Sequence, residues 1–403
     1  MSSFFSVLGN EVLKRWKKEN FSLGKFPAIA QKLLEERSPS ANVDLSTFLR
    51  DFLLNDSQPH QTDSNFGQPE IVVYDHPRFY IQMLFWLDGT TAIHQHEFSG
   101  AFHVMSGSSI HAQFEFQNAR HITPYFHVGD LKMTGVSLLE KGCTVPIVSG
   151  SSCIHSLFHL DMPSVTLVVR TQNDPGTSPQ FNYLPPHIAY DPVFSDPLMT
   201  RRMQVLDMLE ATEDASYAKV VLTMIQDLDF ERGFHTLQNC MITLQHLGEW
   251  QHVLGAFQKK HGPLAAGVEV TLNEWVRRDT IKSLRGRITD PELRFFLALL
   301  LNVPERRDIL ALVAQRFTEA PPIETILRWA EELLEETYSG VAILDAVFPE
   351  ELEIDAEEQP AIFLAAFHRF IEPAAKLPKG LSKKILSSIQ NTFGKSSLRV
   401  LLA

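Results

Sequence analysis

A chain of 403 residues exceeds what one hydrophobic core usually organises, so two or three domains are expected. Its formal charge of −12 leaves no basic face for nucleic acid or an anionic membrane, and the short cluster Lys14 to Lys18 reads as a solvated helix face. Three cysteines, Cys143, Cys153 and Cys240, are too sparse for a disulfide-stapled secreted domain. With no run reaching the ~18 apolar residues of a membrane span and no secretory h-region, a cytoplasmic protein is expected.

Residues 1–58 are predicted to be an N-terminal helical segment. Phe5, Val7, Leu8, Val12, Leu13 and Trp16 recur at helical spacing, and Leu45, Phe48, Leu49, Phe52 and Leu53 repeat the pattern behind Asp44 as N-cap. The segment reads as a lid or packing layer. From Asn55 to Pro69 the composition is that of a connecting loop.

Residues 66–197 are predicted to form a β domain. Runs rich in β-branched and aromatic residues cover 71–74, 79–86, 100–105, 110–116 and 164–170, with turn signals at Asp88-Gly89, Ser106-Gly107, Gly129-Asp130 and Gly142. Many short strands at near-regular spacing mean a sandwich or barrel. The Pro-rich tract 174–197 reads as irregular chain wrapping that domain. Residues 198–403 then switch to helical periodicity, with Asp290-Pro291-Glu292 as a helix start. They are expected to form an all-α domain, a bundle or an α-solenoid-like stack, whose surface suits a protein partner.

The chemistry concentrates in the β region. On a strand, His94 and His96 point the same way, about 6–7 Å apart, and two imidazoles on one face can share a metal. His155, closing the turn-rich run from Gly142, is the best third donor. Three neutral imidazoles suit Fe, Zn, Ni or Cu and leave coordination positions open. Ten of the sixteen histidines lie between His76 and His187, so each needs its own case. His103, on the next predicted strand, is weighed as a pocket residue against plain packing. His159, four residues after His155, is weighed as a hydrogen-bonding support for a ligand. His111, His121 and His127 read as structural or exposed, and Glu97 points away from His96. No Gly-x-Ser-x-Gly elbow, phosphate loop, dinucleotide fingerprint or His-Glu-x-x-His is present.

Gly89, His94, His96 and Gly107, followed by Gly142, Pro146, Gly150 and His155, resemble the two motifs of the cupin superfamily, which implies a jelly-roll barrel (double-stranded β-helix) with a metal inside. The usual glutamate after the second histidine is missing: Gly100 and Ala101 stand there. In this, and in Trp86, the Ile93–His96 stretch, Ser99, Ser106-Gly107 and Ser151, the chain resembles the three-histidine thiol dioxygenase (cysteine dioxygenase-like) branch. That resemblance implies Fe(II) on His94, His96 and His155 and insertion of oxygen into a metal-bound substrate.

Two departures bear on the substrate. The family's carboxylate-clamping arginine has no counterpart in Ile71 to Tyr74, Arg78 falling beyond that strand. Its Ser-His-Tyr relay is replaced by Thr166, Val168 and Arg170. Free cysteine is therefore not expected as substrate, and the expectation becomes an iron oxygenase acting on another small molecule or peptide side chain. Arg170 is weighed as a substitute anion clamp against a solvated salt-bridge partner. Trp86, Ser151, His103 and His159 complete the residues expected around substrate or ligands. The rival expectations are a redox-inert Zn, Mn or Ni cupin acting as lyase, isomerase or hydrolase, and a non-enzymatic ligand- or metal-sensing cupin on a helical interaction scaffold.

Overall fold

The computed structural model describes residues 3–335 apart from 65, 88 and 90, together with 355, 357–376, 383–394 and 396–402. The Asp88 half of the expected Asp88-Gly89 turn and residues 336–354 of the expected helical domain lie outside the described residues.

Four helices come first: α1 (Ser3–Lys18), α2 (Phe26–Arg37), α3 (Pro39–Asn42) and α4 (Leu45–Leu54). Asp44 caps α4, its carboxylate accepting from Thr47 N–H. Eleven strands follow among the described residues: β1 (Glu70–His76), β2 (Phe79–Trp86), β3 (Ile93–His96), β4 (Gly100–Ser106), β5 (Ser109–Thr123), β6 (Phe126–Leu139), β7 (Thr144–Ile147), β8 (Gly150–His159), β9 (Ser164–Thr171), β10 (Asn182–Leu184) and β11 (Ile188–Tyr190).

These strands form two antiparallel sheets. One runs in the order β1-β2-β9-β4-β7, and the other, β10-β11-β6-β5-β8-β3, closes on itself through β10 and β3. Without the flanking β1, β10 and β11, the eight strands β2 to β9 lie as 2-9-4-7 and 3-8-5-6. That is the two-Greek-key order of a jelly roll. The tract 174–197 is therefore not wholly irregular. Its β10 and β11 form a short hairpin that pairs with β3 on one side and β6 on the other.

Strand β2 explains how the barrel is held from outside. All eight of its residues are buried, which a strand achieves only when both sheet faces are covered. Phe79, Ile81, Met83 and Phe85 pack outward against Phe5, Val12 and Trp16 of α1 and Phe26 and Leu33 of α2. The even-numbered residues face the barrel interior. The N-terminal segment is thus a packing layer on the five-stranded sheet. Its α4 pattern promised more burial than the fold uses, since Phe48 is buried but Leu53 is 80% exposed.

The second sheet is covered by the later helices. α10 (Pro291–Asn302), capped by Asp290 as its sequence suggests, is buried from Leu293 to Asn302 and shares a core with Ile110 of β5, Phe158 of β8 and Leu160 just beyond β8. A helix apolar on every side needs such neighbours; α9 (Val268–Arg285), α11 (Arg306–Arg316) and α12 (Pro322–Glu335) supply others. A separate cluster joins α5 (Pro197–Ala211), α6 (Tyr217–Asp227), α7 (Phe230–His246) and α8 (Trp250–His261) to Phe126 and Ile188. Among the described residues no helix is long and apolar enough to cross a membrane.

Candidate metal centre

Register places the histidines. In the antiparallel pair of β3 and β8, His94 stands directly opposite His155, while His96 pairs with Gly150 across an irregularity. Gly150 has φ 77°, in the left-handed region that favours glycine, and this lets the β8 chain turn back at the pairing. Side chains two apart on β3 share a face, so all three imidazoles converge. Their ligand atoms lie within 4.8 Å of one another, and all three residues are buried.

Two of the rings are oriented from behind, whereas His96 Nδ1 is buried with no partner among the described residues. His94 Nδ1 lies 2.8 Å from the Ala92 carbonyl, which can only accept, so Nδ1 carries the proton and Nε2 keeps its lone pair. That Nε2 is buried with no partner among the described residues. His155 Nδ1 lies 2.9 Å from His111 Nε2, and His155 Nε2 lies 2.8 Å from His96 Nε2. Two nitrogens bonded at right angles to one ion at about 2.1 Å would stand about 3 Å apart. The trio therefore fits a metal in spacing, in the orphaned lone pair of His94 Nε2 and in ligand type.

Electrostatics point the same way. Burial is the largest cause lowering the pKa of His94, His96 and His155, and holds the last two well below an ordinary histidine. Neighbouring imidazoles add to the effect at His96 and His155, and Arg170 contributes at His96. Neutral imidazole is the form that binds metal.

The missing carboxylate has a steric explanation. A Cβ on Gly100 would meet the Val169 carbonyl oxygen at 2.1 Å, so no side chain fits there. Ala101 packs outward among the helix-facing residues. Neither position could deliver a fourth ligand to the interior.

The trio opens onto a cavity of about 260 Å³ between the two sheets. Its walls are mainly apolar, with Phe66, Leu84, Trp86, Phe98, Phe102 and Val168 prominent. Trp86 donates its indole N–H to Thr166 Oγ1, 3.2 Å away. Arg170 faces the cavity with its guanidinium carbon 3.5 Å over the Phe98 ring and 5.0 Å from the Tyr80 ring centre. It is not the solvated salt-bridge partner weighed above. Burial lowers its pKa, and no carboxylate lies within ion-pair distance among the described residues.

Three expected site residues lie elsewhere. Phe102 faces the cavity, so strand alternation sends His103 to the opposite face, where its ring nitrogens meet Thr144 Oγ1 at 2.8 Å and Ser40 Oγ at 2.9 Å. His159 makes no hydrogen bond to the trio. Its Nδ1 meets Ser109 Oγ at 2.9 Å, and its ring stacks on Trp86 at 4.5 Å with planes 14° apart, so it braces a cavity wall. Ser151 is exposed at the start of β8 and does not line the cavity.

Conversely, His111, read as structural or exposed, is buried against His155. Its pKa is lowered by burial to about 4. The β5/β8 pairing sets Gln113 opposite His155, leaving His111 on the diagonal, a relation that needs the register to be known. Thr62, Ser64 and Phe66 from the presumed connecting loop, and Gln180 from the Pro-rich tract, also line the cavity. Their composition carries no signal for it.

No family model matches this chain, and no curated sequence relative does. Several solved structures align with part of it. A hydroquinone 1,2-dioxygenase from Sphingomonas sp. is 10% identical over 30% of this chain and 84% of its own, with a TM-score of 0.21. A protein with a double-stranded β-helix domain from Klebsiella pneumoniae is 16% identical over 30% of this chain and 95% of its own, at TM-score 0.20. A DMSP lyase from Ruegeria pomeroyi is 15% identical over 44% and 95%, at 0.23.

Proposed function

We propose that this protein is a metal-dependent oxygenase of the cupin type, with ferrous iron held by Nε2 of His94, His96 and His155, acting on a small molecule other than free cysteine. The buried, converging trio with its unpartnered His94 Nε2 carries this reading. Bound there, iron would supply activation of dioxygen and substrate at the positions that three protein ligands leave open.

The chain's own residues do the rest. The Ala92 carbonyl fixes His94, and His111 accepts from His155 Nδ1–H, so both rings aim a lone pair inward. Trp86, Phe102 and Val168 make the chamber dry, which protects a reactive centre from side reactions. A redox-inert lyase or isomerase would call for a protein base beside the substrate. Glu70 is the one carboxylate among the described lining residues, and Thr62 and Ser64 donate hydroxyl hydrogen bonds to it at 3.0 and 2.8 Å. Burial pushes the Tyr80 phenol up, away from ready ionisation.

Nitric oxide, a mimic of dioxygen, tests the reading. Anaerobic ferrous protein should give an electron paramagnetic resonance signal on adding nitric oxide, and His155→Ala should give none. A chain that binds zinc but shows no such signal after iron loading would favour the redox-inert reading. Bound metal without turnover of any small molecule would favour the sensor.

A further inference from the structure

Of the polar groups in the cavity that have no part in holding the metal, Arg170 and Gln82 keep hydrogen-bonding capacity unspent among the described residues. Arg170 on β9 spends Nε on its neighbour's carbonyl, Thr171 O at 3.3 Å, and its two terminal nitrogens have no hydrogen-bond partner among the described residues. Phe98 and Tyr80 hold the guanidinium in place, and a preorganised planar fork of this kind recognises a carboxylate with two parallel hydrogen bonds. Gln82 on β2 is 2% exposed, lines the same cavity, and leaves Oε1 with no partner among the described residues. A buried amide oxygen left unpaired costs stability, and a hydroxyl brought into the cavity would satisfy it.

Strand register brings the two together. Tyr80 pairs with Arg170 and Gln82 with Val168, so Gln82 and Arg170 are diagonal neighbours on the inner face of one sheet, with Cα atoms about 7 Å apart by normal sheet geometry. Around them the walls are apolar and aromatic. We propose that the substrate is a small hydroxycarboxylic acid with an apolar body: Arg170 grips the carboxylate, and Gln82 Oε1 accepts from the hydroxyl. This rests on the reading of the cavity as the substrate chamber of the metal centre, but the two grips exist without metal.

Calorimetric titration of the full chain, iron-loaded and chelator-treated, with mandelate, phenylacetate and benzyl alcohol separates the contributions. Mandelate should bind about fivefold more tightly than phenylacetate, and benzyl alcohol at least tenfold more weakly than mandelate. Arg170→Gln should weaken both acids about tenfold or more, with part of the loss restored in Arg170→Lys. Gln82→Leu should bring mandelate down to phenylacetate and leave phenylacetate unchanged. Failure of both acids to bind overturns the proposal, as does unchanged binding of both by an Arg170→Gln protein that unfolds at the wild-type temperature. A chain that binds mandelate but takes up no iron keeps the acid site and discards the oxygenase; one that takes up iron but ignores the acids does the reverse.

Discussion

The two faces of the five-stranded sheet are built from alternate residues of the same strands, yet they obey different rules. On the helix side, Phe79, Ile81, Met83, Phe85 and Leu167 interlock with α1 and α2, and even the polar His103 has both ring nitrogens engaged. On the cavity side, Gln82 and Arg170 sit among aromatic rings with polar atoms unspent, facing His94 and His96 of the other sheet, which also keep unpartnered nitrogens. One face is satisfied from within the chain. The other is complete only with something added, and departures of this kind from internal consistency mark functional sites.

If that contrast is right, mutations on the two faces fail differently. Phe79→Ala should be the costliest change, at about 3–5 kcal/mol of stability from lost burial and a cavity, read from denaturant unfolding; the folded fraction should keep its metal. A loss of metal at full stability would break the division.

His103 gives a pH test of the helix side. Burial lowers its pKa from 6.5 to about 4, although Glu35 opposes this. Because the folded value lies below the unfolded one, the unfolded chain takes the proton first. Stability from this residue is intact above pH ~6.5 and falls as pH drops towards ~4, by up to a few kcal/mol. His103→Gln should flatten that part of the curve of melting temperature against pH, and an unchanged slope would contradict the assignment.

On the cavity side, His111→Leu should leave melting nearly unchanged while weakening metal binding about 10- to 100-fold, because His155 loses the group that sets its tautomer. Competition with a chelator measures it. Equal affinity would show that His111 merely fills space. The smallest effect expected is Gly150→Ala, which forces a side chain to φ 77° at a cost of about 1–2 kcal/mol, visible in the melting temperature.

The same contrast explains how far the sequence could be read. Strand texture and the histidine spacing carry local information, so the barrel, the trio and the caps at Asp44 and Asp290 were legible in advance. His103 stays open between pocket and packing on sequence alone because its face depends on which neighbour points inward, a matter of strand phase that Phe102 decides. His111, Gln82 and the loop residues Thr62, Ser64 and Phe66 belong to the cavity only through register and chain path, neither of which their own residue types encode. Hairpin β10–β11 was hidden because its two three-residue strands sit within a proline-rich tract.

The ratio of iron to chain, measured by elemental analysis on protein purified under reducing conditions, tests the central claim most directly. We expect about one ion per chain in the wild type and in the His103→Ala and His159→Ala controls, and almost none in His94→Ala, His96→Ala or His155→Ala. Full iron occupancy in a folded His96→Ala or His155→Ala protein would contradict the account.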